Sequence, residues 1–104
     1  MLCLLLSLII SRIEANTNNY SISGRISDER TGSPLPGASI LIKGTYLWAV
    51  SDQKGEFTIQ GIQEGKYQLE VSFLGYVPAT VPVNVNNSIK GLKIQLKENT
   101  LALN

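Results

Sequence analysis

From Tyr20 onward, apolar and polar residues alternate almost one by one, and nothing else in the chain constrains its fold as strongly. A period of two sends successive side chains to opposite faces of an extended strand, so that one face is buried and the other is wet. Tyr20, Ile22 and Ile26 share one face, against Ser21, Ser23, Arg25 and Ser27. Ile40 and Ile42 oppose Ser39, Leu41 and Lys43, and Phe57 and Ile59 oppose Glu56, Thr58 and Gln60. Tyr67, Leu69, Val71 and Phe73 alternate with Lys66, Gln68, Glu70 and Ser72. The longest run is Val77, Ala79, Val81, Val83 and Val85, and the last is Leu92, Ile94 and Leu96. No window sustains a helical period.

Turn chemistry separates these runs. Thr31 to Gly37 carries two prolines and two glycines, which fix φ and supply positive φ. Asp52-Gln53-Lys54-Gly55 has the Asp-first, Gly-last pattern of a type I turn, while Gln63-Glu64-Gly65 and Asn86-Asn87-Ser88 close two more. Pro78 and Pro82 share the outward parity of their run and cannot donate to a ladder, which predicts a strand at a sheet edge. Six or seven short strands with frequent turns predict an all-β, antiparallel sandwich.

The first fifteen residues read differently. Leu2 to Ile10 holds only one polar residue, Ser7. The run is far short of the roughly twenty apolar residues of a membrane span. It predicts the apolar region of a signal peptide over 1–15, ending at the small residue Ala15, with 16–19 as a polar linker; the alternative is a buried N-terminal strand or helix, against which the polar break Asn16-Thr17-Asn18-Asn19 speaks. No basic residue precedes the run and Ile13 is large for its place before the cut; a start codon set too far downstream accounts for the first. About ninety residues then remain, a size that buries somewhat over 60% of its extended surface and leaves little space for an internal ligand cavity.

Composition removes most chemistry. There is no His, so the commonest acid/base group near pH 7 and the commonest metal ligand are both missing. The single Cys3 can form neither an internal disulfide nor a thiolate cluster. A net charge of +1 argues against an electrostatic nucleic-acid binder, and 43% hydrophobic residues against a disordered chain. The pairs Asp28-Glu29 and Asp52-Glu56 could meet around a hard cation, but calcium asks for six to eight oxygens, and Lys54 sits inside the second group. They read first as solvated turn carboxylates. Tyr46, Trp48 and Tyr76 could form an aromatic platform for sugar, and read first as core or rim aromatics. Sequons stand at Asn19 and Asn86, relevant only in a glycosylating pathway. The expectation is no catalytic residue, no cofactor-binding residue, no metal ligand and no cofactor.

The order of turns and strands resembles a known family. Ile22-Ser23-Gly24-Arg25-Ile26 is followed by Asp28, Gly32, Pro34-Leu35-Pro36-Gly37-Ala38, Lys43-Gly44-Thr45 and Ser51-Asp52. Then come Gly55-Glu56-Phe57, Gly65-Lys66-Tyr67 and Ser72-Phe73-Leu74-Gly75-Tyr76. This ordered set is similar to the carboxypeptidase regulatory-like domain over residues 20–97, in the version found at the N-terminus of SusC/RagA-type TonB-dependent outer-membrane receptors. The resemblance implies a transthyretin-like, seven-stranded Greek-key sandwich, with 98–104 as a tail leading toward a TonB-box region. It implies a non-catalytic periplasmic domain of a receptor for glycans or other large nutrients. Its partners would be the plug and barrel, the TonB system and a surface lipoprotein, with no nucleic acid. A plug and barrel need several hundred more residues, so the expectation is a receptor fragment; the alternative is a stand-alone exported binding or adhesion module. Trp48 stands where the family usually has Gly. Tyr67, two residues after a turn glycine, is expected to bond back to its loop like a tyrosine corner.

Overall fold

The computed structural model describes residues 19–100. The expected signal peptide over 1–15 lies outside the described residues. Seven strands form: β1 (Tyr20–Asp28), β2 (Ser39–Ile42), β3 (Trp48–Val50), β4 (Glu56–Ile62), β5 (Gly65–Ser72), β6 (Ala79–Val85) and β7 (Ile89–Leu96). They build two sheets, one in the order β4-β1-β7 and one in the order β3-β2-β5-β6. β2 and β3 form a hairpin; β4 crosses to the other sheet, and β5 returns beside β2, as a Greek key requires.

The alternation delivers the core. Ile22, Ile26, Ile40, Ile42, Leu69 and Val71 are fully buried between the sheets, and Phe57, Ile59, Ile94 and Leu96 are nearly so. Across the four-stranded sheet, Ile40 lies opposite Val71 and Ile42 opposite Leu69. Leu35, Ala38, Ile62 and Val85 close the ends. Burying each such Ile, Leu or Val side chain contributes about 1.5–3 kcal/mol. Val77 departs from the expected inward row and is 44% exposed. It precedes the strand, because Pro78 delays β6 to Ala79 while the Val77 N–H is drawn to the Lys97 carbonyl.

One strand pair corrects the antiparallel expectation. β1 runs antiparallel to β4 but parallel to β7, with Ile26 opposite Ile94 and Asp28 opposite Leu96. Side-chain alternation is the same in both directions, so it carries no information about strand polarity. The pair is drawn close at Gly24, where any Cβ would run into the Leu92 backbone. The register also slips between Ile22 and Gly24.

The edge expectation for the proline-bearing strand holds: β6 is the outer strand of its sheet, with Pro82 opposite Gln68 and exposed. Gly55 has φ 76°, and a side chain there would meet the Ile26 carbonyl. Ser51 is buried; its Oγ accepts from the Ala38 N–H at 2.8 Å and donates to the Leu35 carbonyl at 2.6 Å. That hydroxyl fastens the proline-rich loop to the end of β3, satisfying backbone groups that would otherwise be buried unpaired.

Candidate functional site at the chain exit

The densest polar arrangement lies where the chain leaves β7. Phe73 to Tyr76 form a tight turn after β5, with the Tyr76 N–H donating to the Phe73 carbonyl at 3.0 Å. This turn grips the segment beyond Leu96. The Val77 N–H donates to the Lys97 carbonyl and the Asn99 N–H to the Gly75 carbonyl, each at 2.8 Å, and Tyr76 and Glu98 pair as a short antiparallel bridge. The rings of Phe73 and Tyr76 meet tilted at 56°, with centroids 5.6 Å apart, a favourable aromatic geometry.

Asp28, at the end of β1, ties this turn to the first loop. Its Oδ2 accepts from the Tyr76 hydroxyl at 2.6 Å, and its Oδ1 accepts from the Arg30 and Thr31 N–H groups at 2.7 and 3.0 Å. The Glu29 N–H donates to the Leu96 carbonyl at 2.9 Å. Hydrogen bonds to the charged form, the Tyr76 hydroxyl first among them, hold the Asp28 carboxyl below its ordinary value of 3.8. The same bond to the carboxylate pushes Tyr76 up from 10.0 to about 12. Both oxygens of Asp28 are therefore engaged, and the cluster works as a clamp that fixes the path of the chain from Leu96 to Asn99.

The residues singled out from sequence are distributed differently. The Asp52 Oδ1 accepts from the Lys54 and Glu56 N–H groups, both at 2.9 Å, as a turn carboxylate does. Among the described residues, no three acidic or Cys side chains gather as metal ligands. The aromatic triad does not assemble: Tyr76 is held by Asp28, whereas Tyr46 and Trp48 project to solvent, 98% and 60% exposed. Trp48 lies in β3 opposite Leu41, a strand-edge aromatic. Asn19 and Asn86 are both exposed. Tyr67 makes the expected corner, its hydroxyl donating to the Gln63 carbonyl at 2.8 Å. The outer face of the three-stranded sheet holds a shallow depression of about 790 Å³ lined by Ser23, Arg25, Thr58 and Lys93, with the Arg25 Nε donating to the Lys54 carbonyl.

Sequence reasoning did not foresee the clamp. Its signal was present in the Ser-Phe-Leu-Gly-Tyr run, whose glycine and tyrosine serve a turn, and in Asp28, a lone acid ending a strand.

Proteins similar in sequence to this chain include TonB-dependent receptors. TonB-dependent receptor P3 of Formosa agariphila is 29% identical over 101 residues, 97% of this chain and 10% of the receptor. TonB-dependent receptor SusC of Bacteroides thetaiotaomicron is 32% identical over 83 residues, 80% of this chain and 8% of the receptor. The chain thus spans about a tenth of the length of these relatives. Among solved structures, a type II cohesin–X–dockerin complex from Acetivibrio cellulolyticus matches with a TM-score of 0.66 and 25% identity, over 76% of this chain and 58% of that one. The group B streptococcus pilus 2b backbone protein matches with a TM-score of 0.64 and 17% identity, over 86% of this chain and 45% of that one. The family profile of the CarboxypepD_reg-like domain matches residues 22–104. With the two-sheet architecture and the ordered turn motifs, this match settles the family: the chain belongs to the CarboxypepD_reg-like domain family.

Proposed function

We propose that the chain acts as the N-terminal periplasmic domain of a TonB-dependent outer-membrane receptor for glycans or other large nutrients. It positions the segment that follows it and performs no chemistry itself. The folded unit is taken as residues 20–97, the tail as 98–104 and the export signal as 1–15. The observation that carries this reading is the exit clamp. A turn of the domain binds the backbone of Lys97 to Asn99, so the departing chain leaves in a fixed direction. In the receptor relatives the remaining nine-tenths of the protein lie outside the matched region, and a fixed departure direction is what a linked plug and barrel would use. The partners on this reading are that plug and barrel, the TonB system and a surface lipoprotein.

A domain swap tests it. In a strain selected because deleting the N-terminal domain of its SusC-type receptor slows growth on the glycan, residues 20–104 replace the missing domain. Growth near the parental rate is expected. A chimera that reaches the outer membrane in normal amounts yet grows no faster than the deletion strain overturns the proposal.

A second reading, a stand-alone exported binding or adhesion module, draws support from the exposed Tyr46 and Trp48. DNA sequence downstream of Asn104 separates the two. A frame encoding a TonB box and plug supports the first reading, and an unrelated gene supports the second.

A further inference from the structure

Unlike the other sheet edges, the edge strand β3 carries neither charge nor proline and is guarded only by its shortness. From Thr45 to Ser51 there is no charge and no proline. β6, the opposite edge of the same sheet, carries Pro82; β4 carries Glu56, and β7 carries Lys90 and Lys93. Prolines and charges are the usual means by which a sheet edge repels another strand.

The hydrogen-bond phase of β3 shows which groups are free. The Leu47 carbonyl accepts from the Ile42 N–H, and the Ser51 N–H donates to the Ala38 carbonyl. Ala49 lies opposite Ile40 between them, so residues 47, 49 and 51 face β2. In an antiparallel ladder the intervening residues point the other way. The N–H and C=O groups of Trp48 and Val50 are therefore directed out of the sheet. The side chains of these two residues, 60% and 49% exposed, stand together on the outer face.

We infer that β3 pairs with β3 of a second copy of this chain, joining the two four-stranded sheets into one. The register is self-complementary. With Ala49 on the two-fold axis, Trp48 N–H meets the Val50 carbonyl of the second copy and Val50 N–H meets its Trp48 carbonyl, and symmetry repeats both bonds. On the outer face each Trp48 ring packs beside the Val50 of the other copy, an aromatic–β-branched cross-strand pair. A charged or proline-bearing partner strand would spoil this edge, whereas a copy of the chain brings neither. A three-residue edge buries less than the standard stable interface, so the pairing is weak and concentration-dependent.

The test is site-specific crosslinking of the full chain with Cys3→Ser. In the proposed pairing the two Ala49 residues face each other across a non-hydrogen-bonded pair, within disulfide reach. Ala49→Cys should give a disulfide dimer under mild oxidation at least tenfold faster than Thr58→Cys, a control on the outer face of the other sheet. Adding Val50→Pro removes an outward N–H while leaving the β2 bonds in place, and should cut the Ala49→Cys rate about tenfold with the thermal melt retained. Should that variant fail to melt cooperatively, Trp48→Lys replaces it with the same expectation. Equal rates at the two cysteines, or a rate unchanged by the substitutions, would overturn the inference.

Discussion

Asp28 and Tyr76 show how a single hydroxyl can govern the behaviour of a domain at both ends of the pH scale. Asp28 is held below 3.8, so its contribution is present above that value and is lost as pH falls through the lowered folded-state value. Tyr76 is raised from 10.0 to about 12, so its contribution is present below pH 10 and is lost as pH climbs from 10 toward 12. Tyr76→Phe should therefore lower the melting temperature at pH 7 and flatten the alkaline limb of a stability profile. Thermal melts of both forms from pH 3 to 12 check this, and identical alkaline limbs would show that the bond is not made. Tyr67 is a separate case, since its half-buried ring packs against the core while its hydroxyl reaches Gln63. Truncation to Ala should cost about 3 kcal/mol, the lower end of the range for buried aromatics. Removal of the hydroxyl alone in Tyr67→Phe should cost about 1 kcal/mol. Urea unfolding measures both.

At the level of strands, Gly24 carries the strictest demand. Its neighbour across the parallel pair is Leu92, and a methyl group on Gly24 enters the space of that backbone. Gly24→Ala should cost about 3 kcal/mol, as overpacking does, and should weaken hydrogen-exchange protection in β1 and β7 before it does so in β5. Equal loss across the sandwich would place the damage elsewhere. This position also marks the boundary of what the sequence made legible. The inward rows at Ile40 and Ile42, Phe57 and Ile59, and Leu69 and Val71 were readable, because burial acts on side chains and side chains alternate. The edge place of β6 was readable from its prolines, since a missing N–H is a local property. The parallel course of β7 was not, because polarity is set by how the chain returns across the whole domain. Ser51 was similarly hidden: a serine beside an aspartate reads as a turn, and only the folded loop shows that its hydroxyl holds Leu35 and Ala38.

For the molecule as a whole, the parallel pairing of β1 and β7 has a mechanical consequence. Tyr20 opens β1 and Leu96 ends β7, so the folded chain enters and leaves at opposite ends of two strands that lie side by side. Traction between these points slides one strand along the other and strains every rung at once. In the antiparallel pair of β1 and β4, Tyr20 lies opposite Ile62, and traction between those two residues would peel the rungs one after another. Single-molecule stretching with handles at residues 20 and 96 should show a rupture force several-fold above that with handles at 20 and 62. Equal forces would refute the idea. A sandwich wired in shear passes tension from one end to the other while staying shut.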